Sequence, residues 1–264
     1  MKRLILILFC FTIFIPWGIF AQSKVLEQGE ELQYVVYYGF IKLGEVKFKV
    51  SNVSNTDDKK TCNANVTMKS YDGVPLVNIS YIFESEMEAM NNQLYSMNFH
   101  SSEFKNKAIE NTDYNFLYDS SYVKILKESS GKSLYSGNYK FNSGIKYQDG
   151  LSLFYAARLN SFENKNYNVP IFINENQNSV KYSFNINKDV VNIDLVDYDI
   201  SVIKIAGQAD FTGVFGLTGE FVGWFSDDDY RVPIKAQFNV LIGSVTLELS
   251  SYKKKSWKPP LFKN

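Results

Sequence analysis

The chain has 264 residues and equal numbers of basic and acidic side chains, 28 each, with an aromatic share of 16 % and only one histidine, two cysteines and six prolines. Balanced charge excludes nucleic acid as a general electrostatic partner, which requires a basic surplus or stripe. So few histidines and cysteines exclude a zinc centre built from several such ligands, and no metal or other cofactor is expected.

At the N-terminus, Lys2 and Arg3 precede an apolar run over residues 4–14 that only Thr12 interrupts. Pro16 and Gly18 break the run, and Ala21 is a small residue suited to a cut. The layout predicts a secretory signal peptide over residues 1–21, cleaved before Gln22, and an exported protein. A membrane anchor is the alternative, but the run is borderline in length for a span and Pro16 argues against one. Phe9 is too large to precede a lipid-modified Cys10. Without residues 1–21, 26 basic side chains face 28 acidic ones and Cys62 is the remaining cysteine. No internal disulfide can form, so stability must come from one buried core over residues 22–252. Cys62 itself reads as a small buried apolar side chain.

Period-two alternation dominates the rest. In 31–38, Leu32, Tyr34 and Val36 alternate with Gln33 and Val35. After a turn around 39–44, Val46, Phe48 and Val50 share one face of 45–50 with charges on the other, as in a strand with one buried face. A polar loop over 52–60 follows, then strands at 63–69, 80–89, 93–104, 112–118, 122–128 and 134–141. Residues 149–159 break the rhythm and predict a helix. Asp149 can cap its first turn and Arg158 suits the dipole of its last. Leu151, Phe154, Tyr155 and Leu159 recur at helical spacing, and Leu153 with the alanines makes the other side apolar too. A helix greasy nearly all round must be buried, here against the concave side of a curved sheet. Further strands are predicted at 181–187, 190–196, 200–206, 218–226, 231–240 and 244–250. The basic tail 253–264, with five lysines and Pro259-Pro260, reads as a solvated, frayed end. The fold class is therefore all-β and mainly antiparallel, a curved meander sheet, half-barrel or barrel with one buried mid-chain helix near 149–159.

Candidate chemistry is thin. His100, the sole histidine, lies in an alternating stretch without nucleophile-elbow glycines, so catalysis through it is not expected. Phosphate-binding and dinucleotide glycine patterns are absent. Asp194, Asp197 and Asp199 alternate with Leu195 and Tyr198 as the solvent side of a strand would. The triplet Asp227, Asp228, Asp229 lacks the frame of a calcium loop. Flanked by alternating strands, it predicts a hairpin tip in which an aspartate fixes the turn and pairs with Arg231, an exposed pair contributing ~0–1 kcal/mol. Pro233 cannot donate to a ladder, so its strand is expected at an edge or bulged. A pair of carboxylates flanking a sugar needs no motif and stays open among 28 acids.

Three pieces stand in order: Leu32-x-Tyr34 leading to Tyr38-Gly39-Phe40-Ile41-x-Leu43-Gly44-Glu45; Gln148-Asp149-Gly150-Leu151-Ser152 before a helix with Arg158 at its end; and Gly219 followed by Trp224-Phe225-Ser226-Asp227-Asp228, Arg231-x-Pro233-Ile234 and Gly243-x-Val245. This resembles the bacterial envelope proteins of domain of unknown function 3108, over about residues 28–252, with a departure at Gly150. The resemblance implies an exported β protein, periplasmic or associated with the outer membrane of a Gram-negative cell, and brings no catalytic residues. Gly39, Gly44, Asp149, Arg158, Trp224, Asp227, Arg231, Pro233 and Gly243 are then fold-defining residues. The leading functional expectation is a non-enzymatic envelope protein holding a lipid or other hydrophobic ligand in an apolar groove, with an envelope protein as a further partner. Two alternatives are a carboxylate-based hydrolase acting on envelope glycans and an outer-membrane β-barrel.

Overall fold

The structure, a computed structural model, describes residues 24–55, 59–75, 77–90, 93–211, 218–240 and 243–263, so the signal peptide expected at 1–21 lies outside the described residues. Its strands are β1 (Glu31–Tyr38), β2 (Ile41–Asn55), β3 (Lys60–Ser70), β4 (Ser80–Met90), β5 (Gln93–Lys105), β6 (Ala108–Leu117), β7 (Tyr122–Ser129) and β8 (Lys132–Lys140). Helix α1 (Gly150–Asn160) follows, then β9 (Asn166–Ile173), β10 (Asn176–Val191), β11 (Ile200–Ala209), β12 (Gly219–Ser226), β13 (Pro233–Asn239) and β14 (Ser244–Lys253). All pair antiparallel in one sheet of order β8-β7-β6-β5-β4-β3-β2-β1-β14-β13-β12-β11-β10-β9. Two meanders are thus joined where the first strand meets the last, with Tyr34 opposite Leu249 and Tyr38 opposite Val245.

The expected turn at 39–44 shrinks to Gly39-Phe40, where Gly39 takes a φ of 59°. Gly44 lies inside β2 opposite Ser70, where only glycine fits because a Cβ would collide with the Lys69 carbonyl of β3. Strand β2 also runs on through Asn55, into the stretch expected as a loop. The strands expected at 181–187 and 190–196 are one strand ending at Val191, carried across its middle by a register irregularity between Asn185 and Asp189. Asp194, Asp197 and Asp199 accordingly sit exposed on the bends after β10 and not on a strand. Strand β9 is not anticipated from the sequence, since Pro170 interrupts it; as an outermost strand it needs no donor there. Pro233 opens β13, which lies between β12 and β14 and not at an edge, and a bulge between Trp224 and Phe225 accommodates it.

The sheet curls around α1. Asp149 caps the helix by accepting from the N–H groups of Leu151 (2.7 Å) and Ser152 (2.8 Å), while Ser152 Oγ accepts from the Asp149 N–H (2.8 Å). From Ser85 on β4, Oγ donates to Asp149 Oδ2 (2.6 Å), which fixes the helix start against the sheet. Leu151, Tyr155 and Leu159 join one buried cluster with Leu32, Val46, Phe48, Met87, Ile200, Ile234 and Leu249, drawn from both meanders. Phe154 stacks on Phe48 at 4.1 Å between ring centres. The two outer edges meet through side chains: Phe172 on β9 lies edge-to-face on Tyr114 (5.2 Å) and Tyr139 (5.3 Å). The assembly is therefore an open sheet in its hydrogen bonds and barrel-like in its packing.

The tail expected to fray packs back instead. Lys254 and Trp257 are buried, the Ser201 N–H donates to the Pro260 carbonyl (2.8 Å), and the Phe262 N–H donates to the Asp199 carbonyl (2.8 Å). Proline ends the strand but does not prevent an extended segment from pairing through its carbonyl.

Candidate functional site

On β3 to β6, alternation turns Cys62, Ala64, Val66, Ser85, Tyr114 and Phe116 into the core. The residues between them, Asn63, Asn65, Glu84, Glu86, Asn98, His100, Ser102, Asn111, Asp113 and Asn115, face outward by the period of two. Register then aligns them across strands. Asn65, Glu84, His100 and Asp113 form one lateral row, and Asn63, Glu86, Asn98 and Asn115 the next. A surface depression of about 730 Å³ lies over these rows, with Ser51, Lys124 and Leu126 at its margins.

Within it, His100 Nδ1 lies 2.7 Å from Asp113 Oδ1 and its Nε2 lies 3.0 Å from Ser102 Oγ, which donates to Asn111 Oδ1 (2.8 Å). In the neighbouring row Asn115 donates to Asn98 Oδ1 (2.5 Å), and Asn98 donates to Glu86 Oε2 (2.7 Å). Three carboxylates, Glu84, Glu86 and Asp113, stand beside one lysine, Lys124. Such a surface offers both donors and acceptors, and its excess of carboxylate disfavours anions.

The residues singled out in the sequence gather elsewhere. Arg158 is fully buried, so its role is an internal ion lattice more than a dipole contact. Its guanidinium makes a two-pronged pair with Glu30 (2.5 and 3.0 Å) and donates to the carbonyls of Tyr230 (3.2 Å) and Arg231 (3.1 Å). Lys254 Nζ donates to the same carboxylate (2.5 Å) and to the Lys24 carbonyl (3.0 Å). Burial pushes the Glu30 carboxyl up, but the charges of Arg158 and Lys254 outweigh it and hold the group below its ordinary range. The helix end, the N-terminal segment, the 227–232 hairpin and the tail are tied at this one end of the sheet. Asp227 does pair with Arg231 (3.3 Å), half-buried and not exposed. The aspartate that fixes the turn is Asp228, whose Oδ1 accepts from Ser226 Oγ and the N–H groups of Tyr230 and Arg231, and whose Oδ2 accepts from Trp257 Nε1. Gly39, Gly44 and Gly243 lie at the opposite end, where Tyr38 packs against Gly243. Trp224 stands apart on β12 and donates to Asp189 (3.2 Å).

Sequence reading missed Glu30 and Lys254, which carry no local signal, and the lateral rows, which only register assembles. The alternation around His100 was the one local signal that bore on these rows. These features define a class: antiparallel barrel-like β proteins whose interior is filled by a helix. The chain belongs to the family described as protein of unknown function (DUF3108), whose model matches residues 33–250. Among solved structures it is similar to a beta-barrel-like protein of domain of unknown function DUF1849 from Brucella abortus. The TM-score is 0.50 at 10 % identity, over 87 % of this chain and 99 % of that one. It is also similar to a protein with a YmcC-like fold from Bacteroides fragilis, with a TM-score of 0.34 at 10 % identity over 86 % and 97 % of the two chains. No curated protein matches the chain.

Proposed function

We propose that the protein is exported to the cell envelope and there binds a neutral or cationic hydroxyl-rich ligand, a glycan segment, on the polar face of β3 to β6. Export is supported by Lys2 and Arg3, the apolar run behind them and Ala21. N-terminal sequencing of the protein from a periplasmic fraction should begin at Gln22; a cytosolic protein retaining residues 1–21 would remove this part.

Binding is carried by the two lateral rows of amides and carboxylates lining the depression of about 730 Å³. Sugar hydroxyls both donate and accept, so they match amides paired with carboxylates, whereas an acyl chain would leave these groups unsatisfied. The inner face, where a hydrophobic ligand was expected, holds α1 and its cluster. Outward positions such as Glu45, Lys47 and Lys49 are polar, the reverse of the apolar band of a membrane barrel. Calorimetry with neutral and amino-sugar oligosaccharides should show saturable binding that an Asn98→Leu, Asn115→Leu variant loses while keeping its fold. Silence from the wild type, or equal binding by the variant, refutes it.

A non-catalytic role is supported by the setting of the Asp113–His100–Ser102 line. Ser102 is paired with Ile82 on one side and Asn111 on the other, so nearby strand N–H groups are engaged in ladders and not aimed at an oxyanion. One observation favours glycan hydrolysis as a second reading: Glu84 and Asp113 flank His100 one strand to each side, about 9–10 Å apart at the backbone. Inverting glycosidases likewise set two carboxyl groups on opposite sides of the scissile bond with room for a water. Release of new reducing ends from envelope glycans, abolished in Glu84→Gln, would establish it.

A further inference from the structure

At the end of the sheet opposite the ion lattice, the tip of the β1–β2 turn and its nearest neighbours are apolar. Phe40, on the two-residue turn between β1 and β2, is 93 % exposed, and Ile41 beside it is 47 % exposed. The next turn in the sheet, after β3, presents Tyr71, whose N–H donates to the Leu43 carbonyl (2.9 Å), so the two tips are contiguous. On the other side Tyr38 leads to the β13–β14 turn through its pairing with Val245. Exposed large apolar groups concentrated on adjacent tips mark an interaction surface.

We propose that this rim docks on a lipid bilayer, with Phe40 and Ile41 entering the acyl boundary. The tips project, so they suit a fluid partner that closes round them more than a rigid one that would need a socket. Polarity is also graded along the strand axis. Phe40 is outermost, Tyr38 and Ile41 pair one step behind it, and Tyr37 and Lys42 pair at the next step, with Tyr71 alongside. Lys69 pairs with Glu45 further back. This order of hydrocarbon-seeking side chain, amphipathic ring and cation matches the order of acyl chain, interface and phosphate in a bilayer. Asp72, exposed on the Tyr71 turn, and Glu45 offset Lys42 and Lys69, so docking should depend on apolar insertion and only weakly on anionic lipid. The surface lies at the end of the sheet away from the N-terminal segment and is independent of the polar depression.

The test is flotation of purified residues 22–264 with phosphatidylethanolamine–phosphatidylcholine vesicles, with circular dichroism to check the fold. Wild type should float with the vesicles at low and high salt, and Phe40→Ser with Ile41→Ser should lower partitioning roughly tenfold or more. Phe40→Trp should retain binding and shift its emission to the blue on vesicle addition. Failure of the wild type to float, equal flotation of the serine variant, or unshifted emission from Phe40→Trp in the presence of vesicles would each overturn the proposal.

Discussion

Asp227, Asp228 and Asp229 are chemically identical neighbours whose surroundings give them unequal weight. Asp229 pairs with Lys24 in solvent, whereas Asp228 gathers four donors from the hairpin and the tail. Asp228→Ala should cost about 1–3 kcal/mol for the acceptor it removes, and Asp229→Ala at most about 0.5 kcal/mol, both read by urea denaturation. Glu30 is the most consequential single carboxylate. With side-chain exposure of 1 % for Glu30 and 0 % for Arg158 and Lys254, Glu30→Gln strands the buried Arg158 charge, leaves Lys254 only its longer pair with Glu27 (3.3 Å), and should cost about 3–5 kcal/mol. Its folded pKa is lowered, so its stabilisation is complete above the ordinary value of 4.5 and is lost as the pH falls from there through the lowered value. The stability gap between wild type and Glu30→Gln should therefore be widest near neutrality and narrow in acid; a constant gap would contradict the ion lattice.

At the scale of elements, α1 is short and apolar nearly all round, so its own propensity does little and its cap and burial decide its stability. Burial raises the Asp149 carboxyl, with hydrogen bonds from Ser85 and the first turn pulling it back. Asn keeps an acceptor for the first turn without a buried charge, whereas Ala leaves the N–H groups of Leu151 and Ser152 without theirs. Asp149→Ala should thus destabilise by about 1–2 kcal/mol, and Asp149→Asn by clearly less, in the same denaturation assay. If both variants lose equally, the charge and not the cap matters. The 227–232 hairpin shows the same logic: its six residues hold because Ser226, Asp228 and Arg231 pair locally while Arg158 and Trp257 reach in from distant segments.

For the whole molecule, the pairing of β1 with β14 means that the chain closes on itself only when its last strand is in place. The tail then secures that closure through Lys254 and Trp257. Deleting residues 254–264 should lower the thermal midpoint by several degrees or more, since it removes one member of the ion lattice and the Trp257 bond to Asp228. Cys62 on β3 offers an internal reporter. It is fully buried, and burial pushes its thiol up to about 12. A thiol reagent should label the folded wild type only as fast as the core opens, and the truncated form faster. Rapid labelling of the wild type under native conditions would show that the sheet is not closed around its core.

Alternation, the cap at Asp149 and the turn residues around 227–231 are local signals, because side-chain period and backbone hydrogen bonding act over a few residues. They made the antiparallel strands, the buried helix and the hairpin legible in the sequence alone, together with the family to which the chain belongs. The exceptions had physical causes. Pro170 masked β9, a register irregularity fused two expected strands into β10, and a tail rich in lysine packed because Glu30 supplied a buried partner. Which rows face one another, that Arg158 and Lys254 meet at Glu30, that the polar side chains of β3 to β6 line a common depression, and that Phe40 stands beside other exposed apolar groups were decided only by the tertiary structure. Those relations join residues tens to hundreds of positions apart, and they follow from register and closure, which no local pattern encodes.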